Sequence, residues 1–118
     1  MKQENQWFFF SSIPQEFLAP GHSRKVLAHN PALMCVHNHF CTGASGADHR
    51  HPHAQLSYIL SGRFEFHVGE ETKPLRPGDS VSVLPHQTHG CLCLEEGVVL
   101  DIFSPMREDF LKQESGKT

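Results

Sequence analysis

The sequence has no excess of basic residues and no long apolar run. Its 10 lysines and arginines are outnumbered by 13 aspartates and glutamates, so the formal net charge is -3. Nucleic-acid-binding modules usually carry a basic excess, and we therefore expect no nucleic-acid partner. The apolar run at residues 7–10 is too short for a signal peptide or a membrane span. We therefore expect a cytoplasmic protein without a membrane partner.

The chain also lacks a disulfide framework, internal repeats and low-complexity segments. Its 4 cysteines are not spaced as in a small secreted scaffold, which favours free thiols. Cys91 and Cys93 follow His89 closely enough to bind a soft metal, but two small core residues of a strand are the better interpretation. With 38% hydrophobic and 19% charged residues, the composition predicts a single globular domain over residues 1–118.

Short apolar or alternating segments, separated by turn residues, predict an all-β barrel or sandwich. The predicted strands are residues 7–10, 24–29, 33–41, 56–60, 63–68, 80–84, 91–94 and 98–103, with a short one near residue 72. Gly62 separates two of these segments and predicts a hairpin turn. Residues 11–17 predict a loop or a short helical turn, and only residues 106–114 are typical of a helix.

The most unusual feature is the presence of 10 histidines in so short a chain. His49, His51, His53 and Gln55 occupy alternate positions, so a regular strand would point all four side chains to one face. Neutral imidazole suits first-row divalent metals, and an amide oxygen can complete such a site without adding charge. This stretch predicts a metal site on a β-hairpin.

Two further features leave more than one interpretation. His37 and His39 repeat the His-x-His pattern, but no ligand-type residue follows at a useful spacing, so a solvent-facing or hydrogen-bonded pair is favoured. Asp101 interrupts a strongly apolar strand, and a carboxylate inside a barrel is costly unless it is paired or functional. The alternative is an aspartate at the rim of the barrel, hydrogen-bonded to a loop.

The spacing of the glycines and ligand-type residues resembles the two motifs of the cupin family. The first motif is matched by Gly43, His49, His51, Gln55 and Gly62, and the second by Gly78 and His89. The family usually carries glutamate at the position of Gln55. The resemblance implies a double-stranded β-helix, that is, a jelly-roll barrel, with its motif-bearing core over residues 33–104 and a short C-terminal helix.

The same resemblance implies how the metal is bound. The implied ligands are His49, His51, Gln55 and His89, which would hold one divalent ion such as nickel, manganese, iron or zinc. His53 is expected outside this set, because Pro52 cannot donate to a sheet ladder and suggests a bulge.

A longer stretch, residues 24–111, is similar to the cupins of pectin and alginate breakdown. Those enzymes convert 4,5-unsaturated uronates, left by polysaccharide lyases, into linear 5-keto-4-deoxyuronates. The similarity implies a metal-dependent, isomerase-type enzyme that uses Asp101 as its catalytic residue and binds substrate through Phe103 and Arg107. It also implies a homodimer, which the aromatic segment at residues 7–10 would help to form.

Two other functions fit the same motifs. A cupin with three histidines could be a metal-dependent dioxygenase, which would consume oxygen. It could also be a module that binds a sugar acid without changing it. The fold does not distinguish these classes, because one barrel hosts many functions.

Overall fold

The computed structural model describes residues 6–115, with side chains described as far as residue 111. A single 3-10 turn, Phe10–Ser12, precedes the sheet, and one helix, α1 (Glu108–Ser115), follows it. The strands are β1 (Glu16–Ala19), β2 (His22–Asn30), β3 (Leu33–Phe40), β4 (Ser45–His49), β5 (Ala54–Val68), β6 (Glu71–Leu75), β7 (Ser80–Val83) and β8 (His89–Ser104). The predicted all-β fold with a short C-terminal helix is confirmed. None of the described helices is long and apolar enough to cross a membrane.

All eight strands belong to one antiparallel sheet with the order β1-β2-β3-β8-β5-β6, while β4 pairs with β8 and β7 with β5. The two longest strands, β5 and β8, lie side by side from the pair Ala54 and Ser104 to the pair Val68 and His89. The first part of β5 pairs with β7 and its last part with β6. The first part of β8 pairs with β4 and its last part with β3. The strands β5 and β8 therefore connect the two halves of the barrel.

The hairpin predicted at Gly62 is wrong, because Gly62 lies inside β5. Its φ of 81° is the conformation that a turn glycine would adopt, but β8 pairs with β5 on both sides of it, with register shifts around Ser61 and Arg63. These shifts mark a bulge that bends the strand. A Cβ at Gly97 of β8 would lie 2.0 Å from the Ser61 carbonyl oxygen, so the two backbones touch where they bend.

The strand predicted at residues 7–10 is also wrong. Residues 6–9 form no regular structure, and the chain enters a 3-10 turn at Phe10. The expected loop or helical turn over residues 11–17 is found only in part, since β1 begins at Glu16. Aromatic residues favour strands, but a strand also needs a neighbour for its backbone groups. In this structure β1 pairs with β2 and no strand pairs with residues 6–9.

Two apolar clusters fill the barrel. The first consists of Phe40, Ile59, Phe64, Phe66, Cys91, Cys93 and Val99. The second consists of Val26, Met34, Val36 and Phe103, and is covered by Met106 and by two residues of α1, Phe110 and Leu111. The prediction that Cys91 and Cys93 are core residues is confirmed, and all four cysteines are free.

Candidate active site

A layer of polar side chains separates the two apolar clusters. On β3, Asn38 lies between Val36 and Phe40, one from each cluster, and on β8, Asp101 lies between Val99 and Phe103. Strand pairing places Ser57 of β5 opposite Asp101. Because alternate residues of a strand face the same side, these polar groups point into the barrel at one level.

The predicted metal ligands converge beside this polar layer. His49 ends β4, His51 lies in the following loop, and His89 begins β8, yet their ligand nitrogens all lie within 4.8 Å of one another. The Oε1 atom of Gln55 lies 2.9 Å from Nε2 of His51 and 3.1 Å from Nε2 of His89. The structure thus brings all four side chains together.

His49, His51 and Gln55 converge because the chain bends between β4 and β5, and not because they lie on one regular strand, as was predicted. Strand β4 stops at His49 and β5 starts only at Ala54, with Pro52 between them. The His53 ring consequently lies edge-on to that of His51 at 5.5 Å, but His53 is not one of the histidines whose ligand nitrogens converge. Its ring packs near Phe103, and its Nδ1 is buried with no hydrogen-bond partner among the described residues. This placement agrees with the expectation that His53 lies outside the ligand set.

Backbone carbonyls fix the tautomer of each histidine. Nδ1 of His49 lies 2.9 Å from the Ala47 oxygen, Nδ1 of His51 3.0 Å from the His53 oxygen, and Nδ1 of His89 2.8 Å from the Gln87 oxygen. A carbonyl only accepts, so the proton of a neutral imidazole must sit on Nδ1 and leave a lone pair on Nε2. Burial lowers the pKa of His51 to about 4 and also lowers the pKa of His89, which keeps these rings neutral.

Hydrogen bonds also fix the orientation of the Gln55 amide, with its oxygen toward the histidines. Its Nε2 donates to the Ser57 hydroxyl at 2.9 Å and to the Asp101 carboxylate at 3.3 Å, so its oxygen faces the histidines. Lone pairs of nitrogen and oxygen therefore point at one another, an arrangement that repels unless a cation lies among them. The donor set fits a divalent metal, with imidazole and amide ligands that suit nickel, manganese, iron or zinc.

Asp101 accepts three hydrogen bonds inside the barrel. They come from Ser57 Oγ at 2.6 Å, from Asn38 Nδ2 at 3.0 Å and from Gln55 Nε2. These partners belong to β3 and β5, so the interpretation of a rim aspartate bonded to a loop is wrong. Desolvation raises the pKa of Asp101 to about 6, against the opposing effect of these hydrogen bonds. A carboxyl group with such a pKa exchanges protons readily near neutral pH.

Three residues of this network were missed at the level of sequence. Asn38 and Ser57 hold the carboxylate, and Nε2 of His22 lies 3.0 Å from the Asn38 amide oxygen while its ring stacks on Phe40 at 4.1 Å. Of the three, only Asn38 could have been recognised from the sequence, because it is a polar residue that interrupts the alternating apolar positions of a predicted strand. His22, Asn38, Gln55 and Asp101 line an interior cavity of about 70 Å³ together with His49 and His89.

Phe103 and Arg107 extend the site toward α1. The ring of Phe103 lies 5.6 Å from that of His51, and the Arg107 guanidinium lies 5.3 Å from the centre of the Phe103 ring. Arg107 also donates two hydrogen bonds to the Asp109 carboxylate, at 3.0 and 2.8 Å. The two residues predicted to bind substrate therefore lie on one side of the histidine cluster, with the arginine outermost.

This barrel, with ligand histidines converging from β4, β8 and the loop between β4 and β5, defines a class of proteins. Residues 37–103 match the family described as "Cupin domain", and the chain belongs to the cupin family. Within that family the chain belongs with the pectin degradation protein KdgF. It is 39% identical to KdgF of Dickeya dadantii (strain 3937) over 108 residues, which cover 90% of this chain and 98% of that protein.

Two solved structures agree with the cupin fold, and one of them is a KdgF. The structure of KdgF from Halomonas sp. matches with a TM-score of 0.85 and 37% identity, covering 89% of this chain and 99% of that one. An RmlC-like cupin from Shewanella frigidimarina matches with a TM-score of 0.86 and 40% identity, covering 93% and 99% of the two chains. The implied cupin barrel is thus confirmed.

Proposed function

We propose that the protein is a metal-dependent enzyme that opens the ring of 4,5-unsaturated uronate monomers and yields linear 5-keto-4-deoxyuronates. The observation that carries this proposal is the hydrogen bond from Gln55 to Asp101, which joins a converging set of metal-type ligands to a half-buried carboxylate. The likeness to proteins named for pectin degradation supports this substrate class, because lyase cleavage of pectin or alginate leaves such unsaturated uronates.

The ligands of the proposed centre are His49, His51, Gln55 and His89, and the ion is nickel, manganese, iron or zinc. All four ligands are neutral, so a bound divalent ion keeps its full charge toward the substrate. When bound, the ion supplies Lewis-acid stabilisation of negative charge at the substrate's carboxylate and ring oxygen.

Asp101 is the proposed proton carrier. In the cyclic substrate the ring oxygen is attached to the C4=C5 double bond, so breaking the C1–O bond releases an enol or enolate instead of a poor alkoxide. The anomeric hydroxyl loses its proton as C1 becomes an aldehyde, and C4 gains a proton as C5 becomes a ketone. Asp101 can accept the first proton and return it to C4, so the reaction needs no oxidant.

Phe103 and Arg107 are the proposed substrate-binding residues. Phe103 is buried between His51 and Phe110, so its proposed role is to form the apolar floor beneath the substrate beside the histidines. Arg107 already holds the Asp109 carboxylate with two parallel hydrogen bonds. A uronate carboxylate has the same geometry as that of Asp109, so the guanidinium is suited to bind it.

The direct test is the ultraviolet absorbance of a 4,5-unsaturated uronate monomer with and without the protein. The conjugated enol ether absorbs and the keto product does not, so we expect the absorbance to fall faster than in buffer alone. Nuclear magnetic resonance of the product should show the linear 5-keto-4-deoxyuronate. Oxygen concentration, followed with an electrode, should stay constant.

Each contrary result points to a different class of protein. Oxygen uptake that accompanies the loss of absorbance would replace the isomerase with a dioxygenase. Binding of the uronate by the metal-loaded protein, with no acceleration of ring opening, would replace the enzyme with a sugar-acid-binding module.

We further propose that the protein is a homodimer. The outer face of β5 exposes Leu56, Tyr58 and Leu60, which are 54%, 41% and 51% accessible. A contiguous apolar strand face of this kind usually marks an interaction surface. Sedimentation velocity should give twice the chain mass of 13.3 kDa, and Leu56→Asp with Leu60→Asp should shift it to the monomer. A monomeric wild type would refute the proposal.

A cytoplasmic location is also proposed. All four cysteines are free, and Cys41 is exposed. Free thiols persist in reducing compartments.

A further inference from the structure

A second group of metal-type ligands lies on the outside of the barrel. Ligand atoms of His39, Cys41 and Glu96 all lie within 4.8 Å of one another. His39 alternates along β3 with Asn38 and Phe40, whose side chains point into the barrel, so His39 points outward. Cys41 continues this outward face, and Glu96 reaches it from β8. The group is therefore separate from the histidines inside.

The backbone holds these three residues in fixed positions. His39 pairs with Val98, and Phe40 with Gly97, in the ladder between β3 and β8. The amide of Cys41 donates to the Gly21 oxygen at 2.8 Å, and the amide of Glu96 donates to the Thr42 hydroxyl at 3.0 Å. A site placed on paired strands needs little rearrangement to bind an ion.

The chemistry of this group differs from that of the inner site. We propose that His39, Cys41 and Glu96 bind a divalent metal that favours thiolate, with zinc as the best match. A thiolate and a carboxylate together neutralise a divalent ion, and imidazole nitrogen completes three protein ligands with one position left for water. Nε2 of His39 already lies 2.8 Å from a Glu96 oxygen. Binding of the ion releases the proton of the Cys41 thiol to solvent and requires the proton between His39 and Glu96 to leave Nε2, so that Nδ1 carries the proton of the neutral ring.

The sequence contains half of this site. Cys41, directly after β3, forms a His-x-Cys pair with His39. This ligand-type residue was overlooked when His37 and His39 were interpreted as a solvent-facing or hydrogen-bonded pair. That interpretation of His39 is confirmed, since it contacts Glu96, but the contact also supplies a ligand from 57 residues further along the chain. Sequence spacing alone does not reveal a ligand at that separation.

Cobalt(II) distinguishes the two sites because thiolate bound to cobalt absorbs in the near ultraviolet, whereas imidazole and amide ligands do not. We expect the full-length, reduced protein to develop this absorption when titrated with cobalt(II) without oxygen, and zinc to abolish it. Cys41→Ser should remove the absorption and weaken zinc binding at this site by at least about 100-fold, since even groups that only orient ligands contribute about 10- to 100-fold.

Matched variants make the result specific. Cys35→Ser removes a half-buried thiol of β3 outside the group and should keep the absorption. His89→Ala disrupts the inner set and should also keep it, so this test is independent of the proposed enzyme activity. The proposal is overturned if the absorption persists in Cys41→Ser. Zinc binding is measured separately, by competition with a chromophoric chelator. The proposal is equally overturned if the wild type shows no absorption in excess cobalt(II) and Cys41→Ser also binds as much zinc as the wild type.

Discussion

Replacing Asp101 with asparagine is expected to lower turnover of an unsaturated uronate by about 10²- to 10⁴-fold, the range that general acid–base groups contribute. Asparagine keeps the size of the side chain but cannot carry a proton between the anomeric oxygen and C4. No hydrogen bond joins a ligand histidine to Asp101 among the described residues, and the Ser57 hydroxyl still accepts from the Gln55 amide and keeps its oxygen toward the histidines. Metal content should therefore stay at the wild-type value. The measurements are kcat from the loss of absorbance and metal per chain from elemental analysis.

The control for this variant is Glu65→Gln, which makes the same chemical change at an exposed position of β5. It should leave both kcat and metal content unchanged. The asparagine amide at position 101 would face the donors Ser57 and Asn38, so circular dichroism and the unfolding midpoint must show that the variant is folded. A folded Asp101→Asn protein with wild-type turnover would contradict the assigned role.

Removing the metal with a chelator is expected to lower the rate to that of the spontaneous reaction. Without the ion, the neutral ligands provide no charge to stabilise the ring oxygen as the C1–O bond breaks. Adding nickel, manganese, iron(II) or zinc separately should restore the rate with at least one of them, and the metal that restores it best identifies the working ion. Rates and metal content should rise together during the titration.

The variant His89→Ala shows whether a fall in rate after chelation comes from loss of the ion or from damage to the protein by the chelator. It lacks one ligand nitrogen and should not recover activity when metal is added, whereas His29→Ala, which changes a histidine of β2 outside the site, should recover fully. Full activity of the stripped wild type, with less than one metal per ten chains, would exclude a metal-dependent reaction.

The four residues of the proposed ligand set were accessible from sequence because motif spacing does not depend on local geometry. His49, His51, Gln55 and His89 meet in the structure, although a turn replaces the regular strand that was expected to align the first three. The environment of Asp101 was less accessible. Its partners Ser57 and Asn38 lie 44 and 63 residues away, and pairing over such separations is determined by which strands become neighbours.

The errors at Gly62 and at residues 7–10 have a related cause. A glycine with positive φ suits both a hairpin turn and a bulge, and only the identity of the neighbouring strand decides between them. Aromatic residues likewise favour a strand only if a neighbour accepts its backbone hydrogen bonds. In both places the local preference was interpreted correctly, and the missing information was the choice of partner strand. Strand β8 pairs along β5 on both sides of Gly62, and β2 pairs with β1 and not with residues 6–9.

The position of β8 in the chain also determines when the protein can become functional. His89, Asp101 and Phe103 all lie on this strand, which pairs with β3, β4 and β5. A nascent chain therefore presents two histidines and an amide long before the third histidine and the carboxylate emerge from the ribosome. Because these contacts have high sequence separation, assembly of the barrel is expected to be slow compared with that of a helical bundle. Tight binding at the proposed metal centre must wait for the last strand to dock, so we expect metal loading to follow folding of the whole domain.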